Sequence, residues 1–148
     1  MNSKLKVSGS VTGSFRLQIH VNGVLIEDYI DNNLVVTLGK KNVARLLGGD
    51  AIGKKITKVQ AGTNGTAPAL TDTGITSPFT KALTSVAYPN DNEVAFNWIL
   101  EANEANGMTI SEFGLLNDDN LLFARKTRTP IQKVAPMVIT GIWKITIN

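Results

Sequence analysis

The side chains that could carry out a reaction are few, and their spacing gives them little to react with. A serine- or cysteine-type nucleophile needs a base beside it, and this chain of 148 residues holds one histidine, His20, and no cysteine. His20 alternates with Arg16 and Gln18 along Phe15-Arg-Leu-Gln-Ile-His-Val21, which places all three on the polar side of a strand. No Gly-x-Ser-x-Gly elbow offers it a partner. One histidine without cysteine also leaves zinc or iron short of nitrogen and sulfur ligands. Oxygen ligands gather in Asp28 and Asp31 with Asn32 and Asn33, in Asn90-Asp-Asn-Glu93, and in Asn117-Asp-Asp-Asn120. None follows the spacing of a calcium loop, and Asp and Asn in tight turns bond their own backbone, so they read as turns. Glu101 and Glu104 could be cast as a glycosidase pair, but they have no supporting context. Gly62-Thr-Asn-Gly-Thr66 lacks the lysine and the helix of a phosphate cradle. No catalytic, cofactor-binding or metal-binding residue is assigned, and the chain is read as non-enzymatic.

The densest positive stretch is Arg125-Lys-Thr-Arg-Thr-Pro-Ile-Gln-Lys133. In extended backbone its neighbours point to opposite faces, which spreads the charge and argues against a nucleic-acid groove. Arg125, Lys126, Arg128 and Lys133 are therefore candidate assembly contacts, either a charged strand edge or a rim of salt bridges to a neighbouring subunit. The formal net charge is only +3, and charged residues make up 18% of the chain, below the roughly 25% usual for soluble domains. Such a charge-poor surface suits a protein housed in an assembly. Trp98 and Trp143 lie on alternating segments and read as core. No apolar run reaches membrane-spanning length, and Met1 to Ser10 lacks the apolar stretch of a signal peptide.

The elements that must hold these residues are mostly strands. Asn22-Gly23 separates two amphipathic runs, Phe15 to Val21 and Val24 to Ile30, and predicts a hairpin with a type I′ turn. Asp31-Asn-Asn33 reads as a turn before Leu34 to Val36. Thr37 is the expected N-cap of a short helix to Leu47, with Leu38, Val43, Leu46 and Leu47 on one face and Gly48-Gly49 as its stop. Gly39 weakens that helix. Ile56 to Ala61 is a brief strand, and Gly62 to Pro78 an ordered loop packed over the sheet through Ala67, Leu70 and Ile75. Strands then follow over Thr80 to Ala87, Val94 to Leu100, Thr109 to Leu116, Leu121 to Thr127 and Val138 to Ile147. A turn at Tyr88 to Asn92 follows the first of these, and Pro130 and Pro136 frame a connector. This pattern predicts an all-β fold, an antiparallel sandwich or barrel-like sheet with one short helix and an N-terminal hairpin. The length fits a single domain, 1–148, divided into a hairpin extension (1–36) and a core (37–148), and the amphipathic hairpin either adds its strands to a neighbouring subunit or completes this domain's own sheet.

Two blocks carry a resemblance. Val59-Gln-Ala-Gly-Thr-Asn-Gly-Thr-Ala-Pro-Ala-Leu-Thr-Asp-Thr73, followed by Met108-Thr-Ile-Ser-Glu-Phe-Gly-Leu-Leu116 and Leu121-Leu-Phe-Ala-Arg-Lys-Thr127, resembles a structural domain of tailed-bacteriophage tail-fibre, collar and baseplate-associated proteins. The second half of that domain typically carries Gly-x-Thr-Ile-x-Glu-x-Gly-Leu and then a Phe-Ala-Arg strand. Here these are Gly107, Thr109, Ile110, Glu112, Gly114 and Leu115, then Phe123, Ala124 and Arg125, and the likeness runs from about Leu34 to Ile147. It marks Gly107, Glu112 and Gly114 as a structural motif, with Glu112 a partner for Arg125 and Gly114 allowing close strand approach.

The resemblance implies a virion structural protein, assembled in the host bacterial cytoplasm as a homo-oligomer, a trimer if it belongs with fibres, and contacting other virion proteins. The chain stops at Asn148 without a repetitive shaft or a receptor-binding tip, which favours a short adaptor. The alternatives are a capsid decoration protein and a carbohydrate-binding module that contacts a host glycan. The last requires Trp98, Trp143 or Tyr88 exposed in a groove.

Overall fold

Period-two alternation dominates the sequence, and in the computed structural model, which describes residues 10–148, it yields nine strands and one helix. They are β1 (Val11–Val21), β2 (Val24–Val35), α1 (Thr37–Gly48), β3 (Ile56–Gly62), β4 (Phe79–Ala82), β5 (Ser85–Ala87), β6 (Glu93–Leu100), β7 (Thr109–Asn117), β8 (Leu122–Gln132) and β9 (Met137–Ile147). The strands form one antiparallel sheet in the order β4-β3-β7-β8-β2-β1-β9-β6-β5, curled into a half-barrel. The all-β architecture, the short helix and the Asn22-Gly23 hairpin are thus as expected. The first nine residues of the hairpin extension lie outside the described residues.

The curl is made at two corners where the chain changes partners, as strands do at the corners of orthogonally packed sheets. At the first corner β2 pairs with β1 from Val24 to Asn33 and then with β8 through Leu34 and Val35. The turn expected at Asp31 to Asn33 is therefore continuous strand. Asp31 is held by Lys126, and the Asn33 amide lies over Gly13 in the space a side chain there would fill. At the second corner the strand expected over Thr80 to Ala87 breaks in two. β4 pairs with β3 and β5 with β6, while the Leu83 N–H donates to the Thr57 carbonyl (3.0 Å) and the Thr84 N–H to the Asn97 carbonyl (2.8 Å). A single straight strand could not follow both halves of the sheet.

Two further expectations change. Pro130 does not begin a connector, because β8 runs through it to Gln132. The ladder to β7 is irregular between the Glu112–Thr127 and Ile110–Ile131 pairs, so a residue without an N–H fits there. Helix α1 has the expected extent and stops on Gly49 at φ 73°, but its N-cap is Val36, and Thr37 makes no side-chain capping bond.

The helix docks by only part of the expected face. Val43 packs against the core and Leu38 is half-buried, but the fully buried residues are Gly39 and Asn42, and Leu46 and Leu47 are 46% and 85% exposed. Gly39 permits the approach, since an ideal Cβ there would lie 2.2 Å from the Phe123 carbonyl oxygen. Asn42 then ties the helix down, accepting from the Lys54 N–H (3.0 Å) and Asn117 Nδ2 (2.9 Å) and donating to the Lys54 carbonyl (2.9 Å).

Inside the curl the two halves meet on aromatic rings. Phe15 of β1 sits 4.9 Å from Trp143, edge to face, and 5.1 Å from Phe113 on the opposite half, and Trp98 lies 5.3 Å from Phe113. Trp98 pairs directly with Gly141 across β6 and β9, and its indole covers the glycine.

Candidate functional site

The residues of the resembling blocks come together on one side of the sheet. Glu112, on β7, is fully buried. One of its oxygens accepts from the N–H groups of Asn64 (2.7 Å) and Thr76 (3.1 Å), and the other accepts from Arg125 Nε (2.9 Å). Arg125, on the neighbouring β8, also donates to Asp72 (3.0 Å) and to the Asn64 carbonyl (2.9 Å). The planar guanidinium satisfies three acceptors at fixed angles, which a lysine could not do. The loop between β3 and β4 is therefore fastened by charge-assisted hydrogen bonds at both ends. Of the apolar residues expected to anchor it, Ile75 alone packs inward, whereas Ala67 and Leu70 are exposed. Ile75 fills the space above Gly62 and Gly114, where an ideal Cβ would come within 2.3 Å and 2.6 Å of its side chain. Gly114 thus makes room for a loop side chain and not for a neighbouring strand. Gly107 closes the turn before β7 at φ +89° and donates to the Lys133 carbonyl (2.9 Å).

The four candidate assembly cations are all engaged within the chain. Arg125 belongs to the clasp just described. Lys126 reaches Asp31 (2.6 Å) and Arg128 pairs with Glu27, with Tyr29 between them, its ring centre 5.7 Å and 4.6 Å from the two cations. These contacts bridge β2 and β8 where their backbones have parted. The Lys126 ammonium, helped by the Asn32 N–H, holds the Asp31 carboxyl below its ordinary range. Lys133 is fully buried and donates to the Glu101 carbonyl and to Asn106 Oδ1, both at 3.0 Å. Burial pushes its ammonium down, opposed by the charge of Glu104.

The residues weighed for chemistry stay apart. His20 is half-buried on β1, opposite Leu25 and Val138. Glu104 pairs with Lys81, which together with the Glu101 N–H keeps its carboxyl below the usual range. Asn117 Oδ1 accepts from the N–H groups of Asp119 and Leu121, and Asn90 donates to Glu93 (3.0 Å). Among the described residues no three His, Cys, Asp or Glu side chains converge as a metal site would require, and no helix is long and apolar enough to cross a membrane. Trp98 and Trp143 are buried, at 2% and 0% exposure.

Two surface features escaped the sequence reading. One is an apolar cleft between α1 and the edge formed by β5, β6 and β9. Leu46, Val86, Tyr88, Val94 and Ile147 line it, and Tyr88 is 76% exposed at its side. The other is the hairpin tip, where consecutive Val24, Leu25 and Ile26 are 63%, 47% and 56% exposed. The signal for the first was Gly39 itself: a glycine in a short helix marks a face that packs close, which frees the leucine stripe for the surface. Continuous burial along β8, whose Leu122 to Lys126 are all buried, was hidden for a similar reason, because the loop covers Arg125 and α1 packs against Phe123.

These features define an all-β half-barrel with a clasped surface loop and two exposed apolar patches. Comparison with protein-family models, curated proteins and solved structures returned no match for this chain.

Proposed function

We propose that this chain is a non-enzymatic structural protein of a tailed-bacteriophage virion, acting as an oligomeric adaptor or fibre-attachment component of the tail, baseplate or neck. The observation that carries the reading is the pattern of surface use. The charged groups that could do chemistry are spent inside the chain, whereas large aliphatic side chains stand exposed at the hairpin tip and beside α1. Apolar side chains gathered at the surface, as around the cleft beside α1, mark binding surfaces. The blocks that resemble phage virion proteins form the clasp, so on this reading the likeness preserves a scaffold on which assembly surfaces are mounted.

The glycan-binding alternative draws on Tyr88 alone, since both tryptophans are core. The cleft beside Tyr88 is lined mainly by aliphatic groups, and Asn42 within it has its amide committed to Lys54 and Asn117. A sugar needs free polar partners around a stacking ring, so the assembly reading fits the lining better. Light scattering on the purified chain tests it. A discrete homo-oligomer is expected, and a monomer that persists on concentration overturns self-assembly.

A further inference from the structure

We infer that Asn22, at the tip of the hairpin formed by β1 and β2, is a site of spontaneous deamidation, and that the fold shields the other two Asn-Gly pairs of the chain from the same reaction. Asparagine is among the thermolabile residues, and a following glycine makes it most so, because no Cβ hinders the glycine nitrogen from approaching the asparagine side chain. That nitrogen attacks Cγ, a ring closes through the new C–N bond, and the Cγ–Nδ2 bond breaks. The proton of the attacking N–H leaves with the departing ammonia. Water then opens the ring at one carbonyl or the other, which yields aspartate or isoaspartate.

The three pairs are Asn22-Gly23, Asn64-Gly65 and Asn106-Gly107. All three asparagines are exposed, so access of water does not rank them, and the bonds that hold each one do. Asn106 is held at both atoms of its amide: Oδ1 accepts from Lys133 Nζ (3.0 Å) and Nδ2 donates to the Ala102 carbonyl (2.9 Å). Its attacking nitrogen is engaged as well, since the Gly107 N–H donates to the Lys133 carbonyl (2.9 Å). Asn64 is fixed mainly through its backbone. Its N–H donates to Glu112 (2.7 Å), its carbonyl accepts from Arg125 (2.9 Å), and its Oδ1 accepts from the Thr66 N–H (3.0 Å). Ring closure turns the Cα–C bond of the asparagine and swings its Cγ toward the next nitrogen, so it must break bonds of this kind. Asn22 is not held in this way. The ladder between β1 and β2 closes at Val21 and Val24, which leaves Asn22 and Gly23 outside it at φ 50° and 78°, and no hydrogen bond among the described residues ties down the Asn22 amide.

The two products act differently on the tip. Asp-Gly suits the same type I′ turn, so the aspartate form keeps the hairpin and adds a negative charge to it. Isoaspartate routes the main chain through the side-chain carbon, and the lengthened backbone no longer fits the tight turn that sets the register of β1 against β2.

The test incubates the purified full chain for days in warm, mildly alkaline buffer and follows the three peptides by chromatography and mass spectrometry. Asn22 is expected to convert first, to both products, and Asn64 and Asn106 at least about tenfold more slowly, since each hydrogen bond that must open costs roughly a factor of five in rate. A parallel incubation in urea removes the fold, and there the three rates are expected to converge. An Asn22 that stays intact in the folded chain, or an Asn64 or Asn106 that keeps pace with it, overturns the assignment. A ranking that persists in urea overturns the shielding, because the sequence neighbours and not the fold would then set the rates.

Discussion

Glu112 shows how much one buried side chain is asked to hold. It receives three donors, two from loop backbone and one from Arg125, and as an ionised carboxylate it can accept all of them without presenting a donor of its own. Glu112→Gln keeps the volume but turns one oxygen into an NH₂ group that must face an N–H donor. That substitution is expected to cost about 3 kcal/mol, the scale for breaking a buried charged pair, read as a lower urea midpoint with unchanged slope. A loss under about 1 kcal/mol would mean that the loop is held by Ile75 packing and not by the clasp. Arg125→Lys is expected to destabilise as well, because Glu112, Asp72 and Asn64 are met from three separate guanidinium nitrogens, and the donors of an ammonium all spring from one. The Glu112–Arg125 pair was expected from the likeness of its two blocks to phage virion proteins, whereas charge and spacing alone read Arg125 as a surface assembly contact. Asp72 and Asn64 were not, since only the fold brings a turn-rich loop over residues some fifty positions away.

Among the elements, α1 reverses a common rule. Replacing a helical glycine by alanine ordinarily stabilises by up to about 1 kcal/mol. At Gly39 the sign is expected to invert, because the new Cβ would strike the Phe123 backbone at 2.2 Å, with a loss of about 1–3 kcal/mol typical of overpacking. Gly48→Ala, where nothing lies within 4 Å, is the control and is expected to stabilise slightly. Thermal melts of the two variants should therefore move in opposite directions. The helix limits were legible from Gly48-Gly49, but its docking face was not, because apolar spacing reports where leucines lie and not which side meets the sheet. The seam between β2 and β8 carries a pH prediction. Lys126 depresses the Asp31 carboxyl, so its contribution is complete above the unfolded carboxylate value and is lost as pH falls through the lower folded one. Asp31→Asn is expected to flatten the acid limb of the melting temperature against pH, and an unchanged limb would show that the seam does not depend on this pair.

At the scale of the whole molecule, the hairpin that looked separable in sequence is central to the sheet. β1 lies between β2 and β9, so the boundary expected near residue 36 does not divide two packing units: Phe15 from the hairpin is fully buried against Trp143 and Trp98 on one half and Phe113 on the other. Alternation revealed which residues face inward, but the sequence could not show that both halves close on the same ring, because that contact depends on chain crossings at Leu34 and at Leu83-Thr84. The consequence is cooperative unfolding. If the halves share one core, tryptophan emission, which reports Trp98 and Trp143, and far-ultraviolet circular dichroism, which reports all strands, must change together. Phe15→Ala removes the ring that joins the halves and is expected to cost about 3–5 kcal/mol, a large fraction of the roughly 5–15 kcal/mol that stabilises a typical domain. Both signals are expected to shift to lower urea by the same amount. Were the hairpin an independent extension, the variant would split the transition, with the circular dichroism of β1 and β2 lost first and emission retained until the remaining strands unfold.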